Sequence, residues 1–358
     1  MAGVAGYSVN NQLANANLQP EQIDEQEYGG EFRFLNDRVS LDFDYYNKKR
    51  SKSILAVPVA ASSGYTSILE NFGTTQNKGW EVTLGVMPVK TKDVTWSLSY
   101  NYSMDRSKVL SLPEGAKKVK LNFIYSVNLY AEEGQPLGVF ELPQPLYENG
   151  HIVVNSAGLP VQSPDQKIGG SIEPQFRMGL SSDLTVKNFD LSFTVDYQQG
   201  GKFYSNTAQL LEFVGAAQNT TYNDRNPYII PGSVQATGSG GYVENQTPIT
   251  HANYYSIYNI GDNPATAFNN LLLTRTYVKL REVTLGYKIP ASVVRHIGAS
   301  QARISVFGRN LYTWLPSSNH IVDPEMINIG SGGLTSEIGE DASGPPLRFF
   351  GAKLNVTF

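Results

Sequence analysis

Four stretches of the chain alternate apolar and polar residues with a period of two. In RVSLDFDYYN, Val39, Leu41, Phe43 and Tyr45 fall on one side, and Ser40, Asp42 and Asp44 on the other. Trp80, Val82, Leu84 and Val86 alternate with Glu81 and Thr83, and Trp96, Leu98, Tyr100 and Tyr102 with Thr95, Ser97, Ser99 and Asn101. Phe189, Leu191, Phe193, Val195 and Tyr197 alternate with Asp190, Ser192, Thr194 and Asp196. A strand turns successive side chains to opposite faces, so each stretch predicts a β-strand with one apolar face. Weaker alternation over 27–34, 173–187, 275–289 and 301–310 adds further strands. In YVKLREVTLGYKIP the phase slips between Leu280 and Val283, as it does at a β-bulge. The C-terminal RFFGAKLNVTF sets Phe350, Ala352, Leu354, Val356 and Phe358 against Phe349, Gly351, Lys353, Asn355 and Thr357. That brings the count to about nine strands.

The links between these strands alternate in length. LNDR, PVKTKD, KN and PASVVRHIGAS are short, the last predicting a small helix closed by Gly298. Residues 48–77, 104–172, 199–274 and 311–346 are long, well beyond the roughly 15 residues of an ordinary loop. Periodicity by itself fits a soluble β-sandwich equally well. Strict short–long alternation is what an up-and-down transmembrane barrel requires, with tight turns at one rim and elaborated loops at the other. Aromatics near strand ends (Tyr45, Tyr46, Trp80, Tyr100, Tyr102, Tyr197) sit where interfacial girdles belong. The expected fold is therefore all-β: an antiparallel up-and-down transmembrane β-barrel, partial, because nine is odd and an open edge in lipid leaves peptide groups unpaired at several kcal/mol each.

Composition narrows the chemistry. The 358 residues are 41% hydrophobic and 17% charged, with a formal charge of −4, which argues against disorder and against a nucleic-acid partner. There is no cysteine, so disulfides and thiolate metal sites are excluded. The N-terminal MAGVAGYSVNNQLANANLQPEQ lacks the basic start and apolar core of a secretory signal, and no apolar run approaches the roughly 18 residues of a spanning helix. His151, His251, His296 and His320 are scattered without metal-ligand spacing. Asp323 and Glu325 in VDPEM are two apart but lack an EF-hand frame, and read as loop acids. GSGG at 238–241 reads as a loop tip, and no Gly-x-Ser-x-Gly elbow is present. No cofactor, metal or catalytic residue is expected. The long links are rich in Tyr, Asn and Gln. Tyr204, Tyr222, Tyr228, Tyr254, Tyr255, Tyr258 and Trp314 are candidates for contacting a sugar, a peptide or a lid, the competing reading being loop-on-loop packing. Asn206 before TAQLLEFVGA is placed to cap a short helix, and Asp42, Asp44, Asp190 and Asp196 read as lumen-lining groups.

Several segments, in order, resemble the SusC-like branch of the TonB-dependent outer-membrane transporters of Bacteroidetes-type, Gram-negative bacteria. They are NANLQPEQIDEQEYGGEFRFLNDRVSLDFDYYNKKRSKSIL, NKGWEVTLGVMPVKTKDVTWSLSYNYS, EPQFRMGLSSDLTVKNFDLSFTVDYQQGG, YVKLREVTLGYKIP, ARISVFGRNLYTW, VDPE and PPLRFFGAKLNVTF. The resemblance implies that residues 1–358 are the C-terminal part of a 22-stranded barrel in the outer membrane, with the plug, TonB-contacting segment and signal peptide absent, so that the chain by itself does not transport. It implies import of a nutrient such as an oligosaccharide or peptide, a SusD-like lipoprotein lid, coupling to TonB through the plug, contact with outer-membrane lipid, and a last strand (Phe350, Leu354, Val356, Phe358) read by the barrel assembly machinery. A soluble or surface-attached carbohydrate-binding module is the alternative, and a barrel enzyme is disfavoured because no Ser, His and carboxylate cluster is visible.

Overall fold

The alternating stretches pair side by side in chain order, forming one antiparallel sheet of nine strands. They are β1 (Gln22–Phe34), β2 (Val39–Ser51), β3 (Thr74–Lys90), β4 (Val94–Ser111), β5 (Phe176–Val186), β6 (Phe189–Gln199), β7 (Tyr277–Ile289), β8 (Gln301–Trp314) and β9 (Phe349–Thr357). The structure is a computed structural model that describes residues 11–113, 115–124, 127–238, 240–254, 271–319, 321–327 and 338–358. Several strands run past the limits read from the pattern. Gln22–Gln26 of β1 have lost the alternation, yet they stay in register with Asn47–Ser51, because backbone pairing persists where neither face meets an apolar medium.

Register makes the two faces continuous. Phe34, Val39, Val86 and Leu98 follow one another across β1 to β4, as do Phe32, Leu41, Leu84 and Tyr100. The second row goes on through Leu180, Val195 and Leu280 to Tyr312, the first through Ser182, Phe193, Val283 and Gly308 to Phe350, and a third runs from Trp96 through Leu184, Leu191, Leu285 and Val306 to Ala352. No large side chain of this apolar face is buried: Phe34, Leu285 and Val306 are about half exposed, at 51%, 49% and 53%. Phe350, Leu354 and Val356 belong to it, opposite Gly308, Ile304 and Ala302, and Phe358 lies just beyond β9, exposed. A sandwich would bury these rows against a second sheet; here, apart from the short-link helix packed on Ala302 and Val356, no described residue covers them. Ser182, the one small polar residue among them, accepts a hydrogen bond from the Trp96 indole at 3.0 Å. Aromatic pairs mark both margins. Tyr45 with Trp80 and Tyr312 with Trp314 (both 4.6 Å) stand near the long links, and Phe189 with Tyr287 (4.7 Å) near the short ones. From Phe189 to Tyr197 the strand rises roughly 26 Å, at about 3.3 Å per residue, which fits a tilted strand crossing a bilayer core. Of the tyrosine pair read as girdle, Tyr46 is on the other face, in register with Glu27, Gly79 and Asp105.

The bulge expected after Leu280 is present: Val195 pairs with Leu280 and Thr194 with Glu282, leaving Arg281 unopposed. The slip turns Arg281 and Glu282 together onto the polar face.

The short links are tight turns, and the longest of them holds helical residues Ala291–Ile297 closed by Gly298 at φ 74°, as its sequence predicts. Val294, Ala299 and Ala302 pack there with Ile289 and Val356. The long links, by contrast, are not irregular. Their described residues fold into a layer at the opposite rim, with small sheets of their own, among them one of four strands from Lys118–Ile124, Val127–Glu132, Val139–Pro145 and Gln162–Ser171. The largest core among the described residues lies in this layer, where Val127, Leu129, Phe140, Leu142, Tyr204 and Leu271 meet Ile338. The helix α1 (Asn206–Phe213) packs on it through Ala208. Its N-cap is Ser205 rather than the expected Asn206. Ser205 is extended and its hydroxyl accepts from Ala208 N at 3.0 Å, whereas Asn206 is already helical and donates its amide to Asp341. Of GSGG, Gly238, Gly240 and Gly241 lie in the turn of a hairpin between Val234–Ala236 and Tyr242–Glu244, and Ser239 falls outside the described residues. β1 and β9 are the open edges of the wall among the described residues.

Candidate functional site

The candidate aromatics separate into three groups. Tyr222, Tyr228 and Tyr254 gather around His251 in the loop layer. Tyr222 meets Tyr228 edge-on at 4.9 Å, Tyr228 lies 4.9 Å from the His251 ring, and Tyr254 packs beside Tyr228 on Val154, Leu159, Ile230 and Ile249. His251 Nε2 is 2.6 Å from the Tyr222 carbonyl oxygen, which fixes the ring. Burial, with Tyr254 and Tyr222 adding to it, pushes the Tyr228 hydroxyl up to about 12, so it stays a neutral donor. Tyr222, 53% exposed, is the member whose ring is open to a ligand or a lid. Tyr255 and Tyr258 fall outside the described residues.

Two candidates are corrected. Tyr204 is fully buried in the main loop core, its hydroxyl donating to Gln209, so it holds the layer together and presents no surface. Trp314 is not in a loop: it ends β8 on the apolar face, opposite Val278 and stacked near Tyr312, where it takes a girdle position. Chain neighbourhood suggested a loop in both cases. Phe203 and Tyr204 lie in a short inner strand between Leu272–Thr274 and Gly339–Glu340, which the sequence pattern does not reveal.

The link after β8 is fastened to the polar face by the acids of VDPEM. Lys279, 5% exposed, donates to both oxygens of Asp323 (2.6 and 2.8 Å) and to Glu325 Oε2 at 2.6 Å. Arg281 forks between Glu325 and Asp196, and the Tyr277 hydroxyl donates to Glu325 Oε1 at 3.0 Å. Burial alone would raise the Glu325 carboxyl, but the hydrogen bonds and charges of Arg281 and Lys279 outweigh it and hold the group at about 2. These two cations supply the positive charge that a hard metal ion would bring. Among the described residues no group of three metal-binding side chains occurs. Asp190 is likewise engaged, by Arg303, and Glu282 by Arg309 at 2.7 Å.

The same link returns at Glu340, which has no exposed surface and receives Thr207 N at 3.1 Å, Thr207 Oγ1 at 2.7 Å and the Ser205 hydroxyl. A carboxylate from 133 residues away thus satisfies the first turn of α1, placing negative charge at the positive end of the helix. At the end of α1, burial pushes the Glu212 carboxyl up to about 7, against the hydrogen bond from Asn219.

Where the loop layer overhangs the polar face of β1 to β4, a cavity of about 580 Å³ is lined by wall acids and by Phe72, Leu121 and Ile172 of the links. The polar face therefore ends, at the loop rim, in a charged recess.

Residues 2–118 match the family model for TonB dependent receptor-like β-barrels. The chain is 26% identical to TonB-dependent receptor P3 of Formosa agariphila over 97% of its own length and 35% of the relative's. It is 26% identical to TonB-dependent receptor SusC of Bacteroides thetaiotaomicron over 74% of its length and 28% of that protein's. Its fold matches the solved RagAB peptide transporter with a TM-score of 0.67 at 19% identity, covering 94% of this chain and 35% of that one. The chain thus spans about a third of the length of the proteins it matches, and the resemblance carried by its ordered segments is shown in sequence and in fold.

Proposed function

We propose, from the premise that the chain is a partial barrel of the SusC-like TonB-dependent receptors, that it forms the C-terminal wall and outer loops of an outer-membrane importer in a Gram-negative bacterium. The wall presents its apolar face to lipid and its polar face to the lumen. The loop layer is the mouth that receives solute, an oligosaccharide or a peptide, under a SusD-like lipoprotein lid. Energy reaches the mouth from TonB through a plug outside this chain, and the remaining strands of the barrel pair with the open edges of β1 and β9. Tyr222 and its neighbours are the aromatic contact surface at the mouth.

The observation that carries this reading is the combination of a continuous apolar face, left largely uncovered by the described residues, with the larger buried cores in the loop layer. A soluble binding module would leave the same face in water, at a cost of about 25 cal/mol for each Å². The test is fractionation and pull-down of the tagged full-length protein. The reading predicts recovery from the outer membrane together with a lipoprotein, and loss of TonB-dependent uptake of one oligosaccharide or peptide class when the gene is deleted. Recovery as a monodisperse soluble monomer overturns it.

A further inference from the structure

The short link between β7 and β8 folds back onto the outside of the wall. Its helical residues Ala291–Ile297 are held there by Val294, which packs with Ala302 and Val356, a cross-strand pair of the apolar face. Val294 is 1% exposed, whereas Val293 and Ile297, four residues apart on one side of the segment, are 58% and 64% exposed. Arg295 stands on the other side, exposed. An apolar side and a basic side thus flank the contact that fixes the segment, which is the layout of a helix lying in a membrane interface.

Its place on the wall agrees with that layout. Tyr287, whose ring lies 4.7 Å from Phe189 at the margin of the apolar face, comes four residues before Ala291. Aromatic side chains at such a margin mark the level of lipid headgroups. A group in the lumen is on the other face of the sheet and does not reach this segment.

The rim around the helix is basic. Backbone hydrogen bonds tie neighbouring links together: Met87 N–H donates to the Arg38 carbonyl at 2.7 Å, Lys187 N–H to that of Asp93 at 2.6 Å, and Lys288 N–H to that of Asn188 at 2.8 Å. The links and their flanks carry Arg38, Lys90, Lys92, Lys187, Lys288 and Arg295 against only Asp37 and Asp93, in a chain whose formal charge is −4. All six cations are exposed, and none forms a salt bridge with a described residue. In the wall, by contrast, Lys279, Arg281, Arg303 and Arg309 each have a carboxylate.

We infer that this helix and the basic links beside it bind anionic phospholipid in the leaflet at the short-link rim. Val293 and Ile297 lie among the upper acyl carbons, and Arg295 and Lys187 sit on headgroup phosphate. The inference rests on the part of the importer reading that puts the wall in a membrane. Zwitterionic lipid offers the same phosphate but adds an ammonium that the unpaired cations repel, so the charge of the rim selects lipid of net negative charge.

The test uses the full-length receptor. In native mass spectrometry from detergent with equal amounts of dioleoylphosphatidylglycerol and dioleoylphosphatidylcholine, the most tightly retained lipid should be phosphatidylglycerol by at least about tenfold. Arg295→Gln and Lys187→Gln should each lower that ratio about fivefold, the effect of one cation near an anionic surface. Lys49→Gln, at an exposed cation near the long links, should leave it unchanged. In bilayers of the two lipids, nitroxide labels at 293 and 297 should meet oxygen more than a nickel chelate, and a label at 295 the chelate more. No preference for phosphatidylglycerol, or a ratio unmoved by both substitutions, overturns the inference. So do labels at 293 and 297 that meet the chelate, which puts the helix in water, or that are shielded from both reagents, which gives the surface to a protein. Any of these results in a receptor recovered from the outer membrane refutes the inference while the importer reading stands, and a receptor that stays out of the outer membrane refutes both.

Discussion

Replacing Lys279 with methionine should release the link that follows β8. In the parent, Lys279 neutralises Asp323, whose side chain is only 6% exposed, through contacts of 2.6 and 2.8 Å. Methionine fills most of the same volume but leaves Asp323 buried without its counter-charge, a change that costs about 3–5 kcal/mol when nothing relaxes. The segment can relax, because Asp323 sits on a link rather than in the wall, so the penalty should appear as local opening of residues 321–327. An energy of about 3 kcal/mol corresponds to roughly a hundredfold rise in the open population. Amide exchange in the full-length receptor reads this directly. Glu325 N–H donates to Asp323 Oδ1 at 2.9 Å and Met326 N–H to the Asp323 carbonyl at 3.0 Å, and both amides should lose about a hundredfold protection. Adding Asp323→Leu should restore most of it at the Met326 amide, whose acceptor is a backbone carbonyl, since removing both members of a buried pair is far less costly than removing one. Unchanged protection in Lys279→Met, or no recovery in the double variant, would refute the reasoning. The sign of the pH dependence follows from Glu325. Its carboxyl lies at about 2 against an ordinary 4.5, so the fastening is complete above about pH 4.5 and is lost as the pH falls toward 2.

Other outcomes follow from the same geometry. Leu285→Arg on the apolar face should destabilise the lipid-embedded barrel by about 2–4 kcal/mol in urea titrations, while Thr284→Arg, one residue away on the polar face, should cost under about 1 kcal/mol; equal costs would contradict the assignment of faces. Ser205→Ala removes the cap of α1 and should cost about 1 kcal/mol, seen as faster exchange at Ala208 N. Glu212 has a folded-state carboxyl near 7 against an ordinary 4.5, so the native state holds the extra proton and stability should decline as the pH rises through that interval. Glu212→Gln should flatten this decline in melting curves taken between pH 5 and 8, and an unaltered slope would show that another group is responsible.

The wall was legible in the sequence because a half-lipid, half-water strand must alternate at every position. Val39 to Tyr45 and Phe189 to Tyr197 could be assigned to faces residue by residue, and the phase slip at Arg281 located the bulge. What could not be read was the loop layer. Its strands are short, and their partners are far apart in the chain, such as Tyr204 with Gly339, so no local period records them. The same distance hid the candidate site. Tyr204 looks like its neighbours in composition but is claimed by a core, whereas Tyr222 is not. The acids of VDPEM were visible as a motif, yet only the register of β7 shows that Lys279 and Arg281 stand opposite them. Glu340 gave no signal, since a cap supplied from another link has no sequence spacing.

The decisive measurement is solvent and lipid access along β6. Nitroxide labels placed singly at Leu191, Ser192, Phe193, Thr194 and Val195 of the full-length protein in bilayers report collisions with oxygen, which dissolves in hydrocarbon, and with a charged nickel chelate, which does not. Labels at 191, 193 and 195 should favour oxygen and those at 192 and 194 the chelate, in strict alternation. Odd-numbered labels shielded from both reagents would place the apolar rows inside a protein core and contradict the account.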